Sequence, residues 1–285
     1  MQRTPLGTLA RVLAERLRRD DLLAENWLPY GVHRFDRRTW VIKETAFGVR
    51  IWCSLDERAI SRPILLDAYE PDATQFIART VRPGDLVVDA GANIGYHALH
   101  LAKLVEARGT LVAFEPLPYL ADALEASMVE NGFVSRVNVH RSALDQVSGS
   151  LRLRHAPRTA NFGGAHLAPD TALPEAHADE TVATVRLDDV IAAQPCHFLK
   201  MDVEGAEPRV IRGAQRTLAT GKPVILSELH DAQLRLVSNV SADEFIAQMA
   251  GVNYRCSRLR SDGTRGQVLE RYADRAPLNV VFDPR

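Results

Sequence analysis

The sequence predicts an α/β fold: a doubly wound, mainly parallel sheet whose ligand lies over the carboxyl ends of the strands. Three observations predict it. From about residue 69 onward, short apolar runs alternate with helix-length segments. The run Val87-Val88-Asp89-Ala90-Gly91-Ala92-Asn93-Ile94-Gly95 reads as a buried strand, a tight glycine turn and the start of a helix. The run Leu111-Val112-Ala113-Phe114-Glu115-Pro116 reads as a second strand ending in an acid, at the spacing of about 20 residues where ribose hydroxyls are gripped. Together these make half of a nucleotide-binding unit.

Residues 1–68 read as an N-terminal accessory region and residues 69–285 as the main domain. Leu6, Leu9, Leu13 and Leu17, with Ala10 and Ala14, form one stripe of a helix whose other face carries Arg11, Glu15, Arg18 and Arg19. Two strands, 39–43 and 49–53, flank a turn at Gly48. A helix over 72–81 stops at Arg82-Pro83-Gly84, and the first strand of the main sheet is 86–90. A helix over 94–105 leads to the second strand, 110–114; a helix over 119–131 is closed by Gly132 before the third strand, 137–140. The fourth strand, 198–203, runs into a helix over 208–219 with Pro208 in its first turn. A fifth strand, 224–227, a helix over 242–249 and strands at 254–259 and 279–282 complete the chain with a late hairpin, without internal repeats.

The glycine spacing narrows the ligand. A dinucleotide fingerprint beginning at Gly91 requires glycine at 93 and 96, where Asn93 and Tyr96 stand. Those are the glycines that admit a pyrophosphate and a close helix, so the pattern favours a nucleoside without phosphates, of which S-adenosylmethionine is an example. Glu115 would accept hydrogen bonds from both ribose hydroxyls, and the backbone of 91–95 would face the amino-acid tail. A glycine turn of an ordinary α/β protein would explain the run alone; Glu115-Pro116 at this spacing favours the ligand.

With 285 residues, 46% hydrophobic and 25% charged, the chain can bury one sizeable core. A net charge of −1 and no basic, aromatic-rich face argue against nucleic acid as partner. Cys53, Cys196 and Cys256 are too scattered for a metal site and suit a reducing compartment. No apolar run reaches the roughly 18 residues of a membrane helix, so a cytoplasmic location is expected. The N-terminal stripe is suited to packing on the domain or on a second subunit of a homodimer.

A wider set of motifs carries a resemblance. Tyr69-Glu70-Pro71, the 89–96 run, Phe114-Glu115-Pro116, Ala143-Leu144-Asp145, Leu187-Asp188, Lys200-Met201-Asp202-Val203-Glu204-Gly205-Ala206-Glu207 and Glu228 together resemble the FkbM-type S-adenosylmethionine-dependent methyltransferases over residues 69–230. The K-x-D-x-E-G-x-E run after a strand is the specific part. The resemblance implies a Rossmann-like class I methyltransferase sheet of seven strands with the last antiparallel, and methylation of a hydroxyl on a natural product or sugar. It places Asp89, Gly91, Ala92, Asn93 and Gly95 on the methionine side, Glu115 and Pro116 at the ribose, and Ser142 and Ala143 beside adenine. Tyr69 and Glu70 would cover the tail, with helix capping an alternative for Glu70. Asp145 would reach the adenine amino group or else open a turn through Ser148-Gly149.

Methyl transfer from a sulfonium needs an aligned nucleophile and a destination for its proton; alignment can supply ~7–11 kcal/mol and a general base about 10²–10⁴-fold. Asp202 and Glu204 end the fourth strand, and Lys200 projects from the same face as Asp202. Asp202 is expected at the cofactor's amino group or the acceptor, and Glu204 or Glu207 at the acceptor hydroxyl. Glu204 is a poor base unless its pKa is raised. His230 is the better base by intrinsic pKa, with a surface-loop histidine as the alternative. For Lys200 an ion pair with Asp89, Asp202 or Glu228 is preferred over catalysis. Carboxylates at 202, 204 and 228 leave a magnesium ion open, although acids at a helix start explain 204–207 without metal. The proline- and glycine-containing stretch 155–180 reads as a loop, a lid with Asn161, Phe162 and His166 as acceptor contacts, or a surface insertion. A nicotinamide-nucleotide oxidoreductase or epimerase is disfavoured by the broken fingerprint, and a non-catalytic S-adenosylmethionine binder by the acids after the fourth strand.

Overall fold

The computed structural model describes residues 32–33, 35, 38–155, 166–167, 178–192, 194–274 and 276–285. The described residues begin with a small antiparallel sheet of β1 (Val32–His33), β2 (Trp40–Glu44) and β3 (Arg50–Ser54). Trp40, Val41, Ile51 and Cys53 have no exposed surface. After β3 the Glu57 carboxylate accepts from the backbone N–H groups of Ala59, Ile60 and Ser61, fixing the entry to α1 (Ser61–Leu65). Helix α2 (Pro71–Thr80) opens with proline at its first position, where no N–H is needed.

The units that follow are β4 (Leu86–Ala90), α3 (Tyr96–Val105), β5 (Thr110–Phe114), α4 (Pro118–Glu130) and β6 (Val137–His140). Along β4, Leu86, Val88 and Ala90 face one core while Val87 faces the other. This period of two, buried on both sides, is what a central parallel strand requires. The chain then makes β7 (Ala143–Leu144), β8 (Gly149–His155), β9 (His166–Leu167), β10 (Ala178–Val185) and α5 (Leu187–Val190) before rejoining the main sheet as β11 (Phe198–Met201). Helices α6 (Glu207–Arg212) and α7 (Gln215–Gly221) precede β12 (Val224–Leu229), and α8 (Asp231–Gln233) runs into a π-helical turn, Leu234–Ser238. Helix α9 (Ala242–Gly251) carries a capping box from Ser241 and Glu244, and β13 (Tyr254–Leu259), β14 (Arg265–Val268) and β15 (Leu278–Pro284) finish the sheet.

The main sheet has eight strands in the order β14-β13-β15-β12-β11-β4-β5-β6. Strands β6, β5, β4, β11 and β12 are parallel neighbours, and β15 enters antiparallel between β12 and β13. The seven expected strands are there with the last antiparallel, and β14 adds an eighth at the edge.

Three local expectations are corrected. The fourth strand ends at Met201 rather than at 203, so Asp202 and Val203 lie in the loop beyond it. The single helix expected over 208–219 is two, because the buried Asp188 carboxylate accepts from the N–H groups of Arg216 and Thr217 at 3.0 and 2.8 Å and caps a new start. The stretch read as a loop from 155 to 180 begins and ends in strands: β8 and β10 pair antiparallel from Gly149↔Thr184 to His155↔Ala178, within a second sheet ordered β7-β10-β8-β9.

The β2–β3 hairpin packs its apolar side on α4, sharing one cluster with Leu120, Leu124 and Met128, and the Trp52 N–H donates to the Ser127 hydroxyl at 3.0 Å. The N-terminal stripe of leucines lies outside the described residues. Because the hairpin and the main sheet share that cluster, urea unfolding followed by tryptophan fluorescence and by circular dichroism is expected to give one coincident transition. Trp40→Ala should lower its stability by about 3–5 kcal/mol; an early separate fluorescence step would mean that the hairpin folds independently.

Candidate active site

A cleft of about 360 Å³ opens over the carboxyl ends of β4, β5, β11 and β12. Its lining includes Tyr69, Glu70, Gly91, Ala92, Asn93, Glu115, Pro116, Ala143, Lys200, Asp202, Glu204 and Glu228, all singled out from sequence. At its floor the chain leaves β4 through Gly91, with φ +79°. A Cβ there would lie 1.9 Å from the Asp202 carbonyl oxygen, so only glycine lets the two loops touch. Gly95 does a different job from the one expected. It starts α3 with φ +99°, and a Cβ on it would meet Leu124 at 2.5 Å, so it serves helix packing against α4 and does not line the cleft.

Glu115 sits in the middle. Its two carboxylate oxygens accept from the backbone N–H groups of Asn93 and Leu117, each at 2.9 Å, which fixes the carboxyl group to both flanking loops. Burial pushes its pKa up to about 7, against the lowering effect of those two hydrogen bonds. Each oxygen keeps lone-pair capacity for a ligand hydroxyl.

The two ends of the cleft differ in polarity. Phe114, Pro116, Leu120, Ala143, Leu144 and Leu153 make one end apolar. The other end holds Glu70, Asp202, Glu204 and Glu228 around Lys200. Lys200 pairs in register with Asp89 on the neighbouring strand; its ammonium lies 3.6 Å from the Asp89 carboxylate and 3.4 Å from that of Asp202. Burial alone would lower the Lys200 pKa, but Asp89, Asp202 and Glu70 more than reverse this, so the ammonium stays charged. Asp89 is fully buried, neither of its oxygens has a hydrogen-bond partner, and burial raises its pKa against the pull of Lys200. It stands behind Lys200 rather than on the cleft wall.

Glu70 accepts from His97 Nε2 at 2.7 Å, and this contact, with Lys200, holds the carboxyl well below the usual range despite burial. The Tyr69 ring stands edge-on to Tyr96 with centroids 5.1 Å apart. Three glutamates are shifted the other way. Burial, helped by Asp202 and Glu228, pushes Glu204 up to about 9, and Gln233 Nε2 donates to it. Burial, helped by Asp202 and Glu70 and opposed by Lys200, pushes Glu228 up to about 7. Burial also pushes Glu207 up to about 8; it accepts from the Val203 N–H at 3.0 Å and is absent from the cleft wall.

Three further residues lie elsewhere than expected. The His230 ring accepts from the Gln233 N–H at 3.1 Å and caps α8, beside a separate hollow with Asp231 and Tyr272. A histidine held as a helix cap has its Nδ1 lone pair occupied and does not face the carboxylate cluster. Asp145 is engaged by a bidentate contact with Arg209, both distances 2.7 Å, and Ser142 is buried without reaching the cleft wall. Asn161, Phe162 and the side chain of His166 lie outside the described residues. Sequence reading passed over His97, Leu153 and Gln233. For His97 a signal existed, since it follows Tyr96 on the first turn of the helix that leaves the glycine loop.

Among the described residues no three histidine, cysteine, aspartate or glutamate side chains converge as metal ligands, and no helix is long and apolar enough to cross a membrane.

The family model for the methyltransferase FkbM domain matches residues 89–256. A 31-O-demethyl-FK506 methyltransferase FkbM from Streptomyces tacrolimicus is 32% identical over 178 residues, covering 53% of this chain and 67% of that protein. The hexuronic acid methyltransferase AglP of Haloferax volcanii is 28% identical over 165 residues, covering 56% and 62%. The methyltransferase 1 of Beauveria bassiana is 31% identical over 145 residues, covering 45% and 57%. This chain therefore spans between 57% and 67% of these relatives' length. A solved methyltransferase FkbM from Methylobacillus flagellatus aligns with a TM-score of 0.45 at 17% identity, over 78% of this chain and 52% of that one.

The raised glutamates make stability depend on pH with a definite sign. A carboxyl whose folded pKa lies above its ordinary value near 4.5 binds more protons folded than unfolded, so stability is full below that value and falls as pH rises toward the folded pKa. For Glu207 the window runs from about 4.5 to about 8. Thermal unfolding between pH 5 and pH 8 is expected to shift less in Glu207→Gln than in the wild type; equal shifts would show that Glu207 is charged in the fold.

Proposed function

This chain belongs to the FkbM methyltransferase family, and on that premise we propose that it moves the methyl group of S-adenosylmethionine to a hydroxyl of a small molecule, releasing S-adenosylhomocysteine. The observation that carries the reading is Glu115, a carboxylate pinned by two backbone N–H groups between an apolar and an acidic end of one cleft. A phosphate-free adenosine compound bearing positive charge has that same polarity: adenine at the apolar end, ribose at Glu115, sulfonium and ammonium at the acids. The donor brings an already activated methyl, so the protein's task is alignment and proton handling.

Residues take their parts from this orientation. Glu115 accepts from the ribose hydroxyls. Glu70, held ionised by His97, and Asp202, held beside Lys200, receive the ammonium. Lys200 keeps the cluster from repelling itself, and Gly91 brings the methionine-side loop against Asp202. The acceptor hydroxyl is held by Glu204 and Glu228. Glu228, pushed up to about 7, titrates where a base is most useful, whereas Glu204, pushed up to about 9, stays protonated at neutral pH and donates a hydrogen bond. The hydroxyl proton passes to the Glu228 carboxylate as the oxygen–carbon bond forms and the carbon–sulfur bond breaks. Residues 69–285 form the methyltransferase domain in this reading, and the segment before it lends Ala59 and Ile60 to the cleft wall.

Calorimetry with S-adenosylmethionine is expected to show binding that Glu115→Ala weakens by roughly 10²-fold, the loss of one or two hydrogen bonds to a charged group. Asp202→Ala should fold normally and lose turnover; full activity in that variant would remove Asp202 from the site. Glu228→Gln should lower kcat by about 10²–10⁴-fold, with little change in cofactor affinity, and abolish a rise of rate with pH through about 7. An unchanged pH profile would assign the proton to another group.

A further inference from the structure

The apolar end of the cleft is built from two sources. Phe114, Pro116, Leu120, Ala143 and Leu144 follow in order from the end of β5, through α4, to β7, the positions that any sheet of this winding offers to a ligand. Leu153 is different. Ala143 and Leu144 enter the second sheet through β7 directly after β6, whereas Leu153 stands two strands across that sheet on β8, beyond β10. Its neighbours fix it: Leu153 pairs with Glu180 of β10 on one side and Leu167 of β9 on the other, and only 5% of it is exposed. It packs in the same apolar cluster as Leu120 and Val182. A leucine held between two strands, yet lining the cleft, has little freedom to move aside.

Given S-adenosylmethionine in the cleft as proposed above, we infer that Leu153 closes the adenine end, so that the second sheet is part of the cofactor site and limits which purines enter. The order of lining residues supports this placement. Moving across the strand ends from the acids after β11, the wall passes Gly91 after β4, Glu115 after β5, and Ala143 and Leu144 after β6. A ligand fixed by its ribose at Glu115, with its charged tail toward Asp202, extends its base toward β7 and the rest of the second sheet. The base edge remote from the ribose carries the 6-amino group, and Leu153 is the wall it reaches. An isobutyl side chain there offers dispersion contact to the ring and no hydrogen bond, so it selects by shape.

A bulky substituent on that amino group should therefore be refused by the natural protein and admitted once the wall is cut back. The test is calorimetry of the full chain with S-adenosylmethionine and with its N6-benzyl analogue. Wild type is expected to bind the natural compound and give no measurable heat with the analogue. Leu153→Ala should bind the analogue at least tenfold better than wild type does, and bind the natural compound about tenfold more weakly. Leu153→Met, which keeps the volume, should behave as wild type toward both, and Leu153→Phe should weaken the natural compound further. A merely structural leucine would weaken both ligands alike in Leu153→Ala and gain nothing for the analogue. That result, or wild-type protein binding both compounds equally, overturns the inference. Absence of binding of the natural compound to wild type would instead overturn the cofactor reading itself, and the two failures are distinguishable on the first titration.

Discussion

The buried ammonium of Lys200 is what allows this cleft to exist in its present form. Six carboxyl groups, those of Glu70, Asp89, Asp202, Glu204, Glu207 and Glu228, crowd the ends of three adjacent strands and the loops behind them. Several are removed from water, where an unpaired charge costs several kcal/mol. Lys200 is placed among them by strand register: it stands opposite Asp89 on β4 and two residues before Asp202. Burial raises Glu204, Glu207 and Glu228, while His97 and Lys200 hold Glu70 well below the usual range, so the cluster contains carboxyl groups shifted in opposite directions. In the proposed reaction the ionised kind would hold a cation and the titrating kind would receive a proton.

The contrast between the ends of the cleft follows from what each element can supply. Strand ends project backbone and short loops, and the first turns of α3, α4 and α6 begin there. Of these helices only α6 carries an acid in its first turn, Glu207, and burial there outweighs the pull of the free N–H groups. Away from the switch between β4 and β11, the strands border α4 and the second sheet, whose facing residues belong to the apolar cluster. Glu115 marks the boundary. Its carboxyl group joins the loop after β4 to the loop after β5, so the two halves of the cleft keep a fixed spacing.

The winding was legible in sequence because each parallel strand announces itself through a local pattern. Strands β4, β5 and β6 are short apolar runs between turn residues, and the glycine loop with Glu115 follows a spacing that one strand–helix–strand unit imposes. The second sheet was not legible, although Leu151, Leu153 and Val182 alternate as strand residues do, because β8 and β10 are separated by a stretch rich in glycine and proline whose composition dominated the reading. Pairings made across long separations left no trace either. Arg209 meets Asp145 from 64 residues away, and nothing local to Asp145 distinguishes that from a turn. His230 misled for the reverse reason: its intrinsic pKa suits a base, but its position before α8 makes it a cap.

The antiparallel strand β15 has a consequence for how the chain is made. It separates β12 from β13, so residues 254–259 gain their place in the main sheet only after residues 278–284 have left the ribosome. Until then β12 presents an open edge, with its side chains already apolar and its backbone N–H and C=O groups unmatched on one side. A nascent chain stalled short of that point would carry the glycine loop and the acids but expose a template for pairing with other molecules, which makes residues 278–284 the guard against aggregation during synthesis.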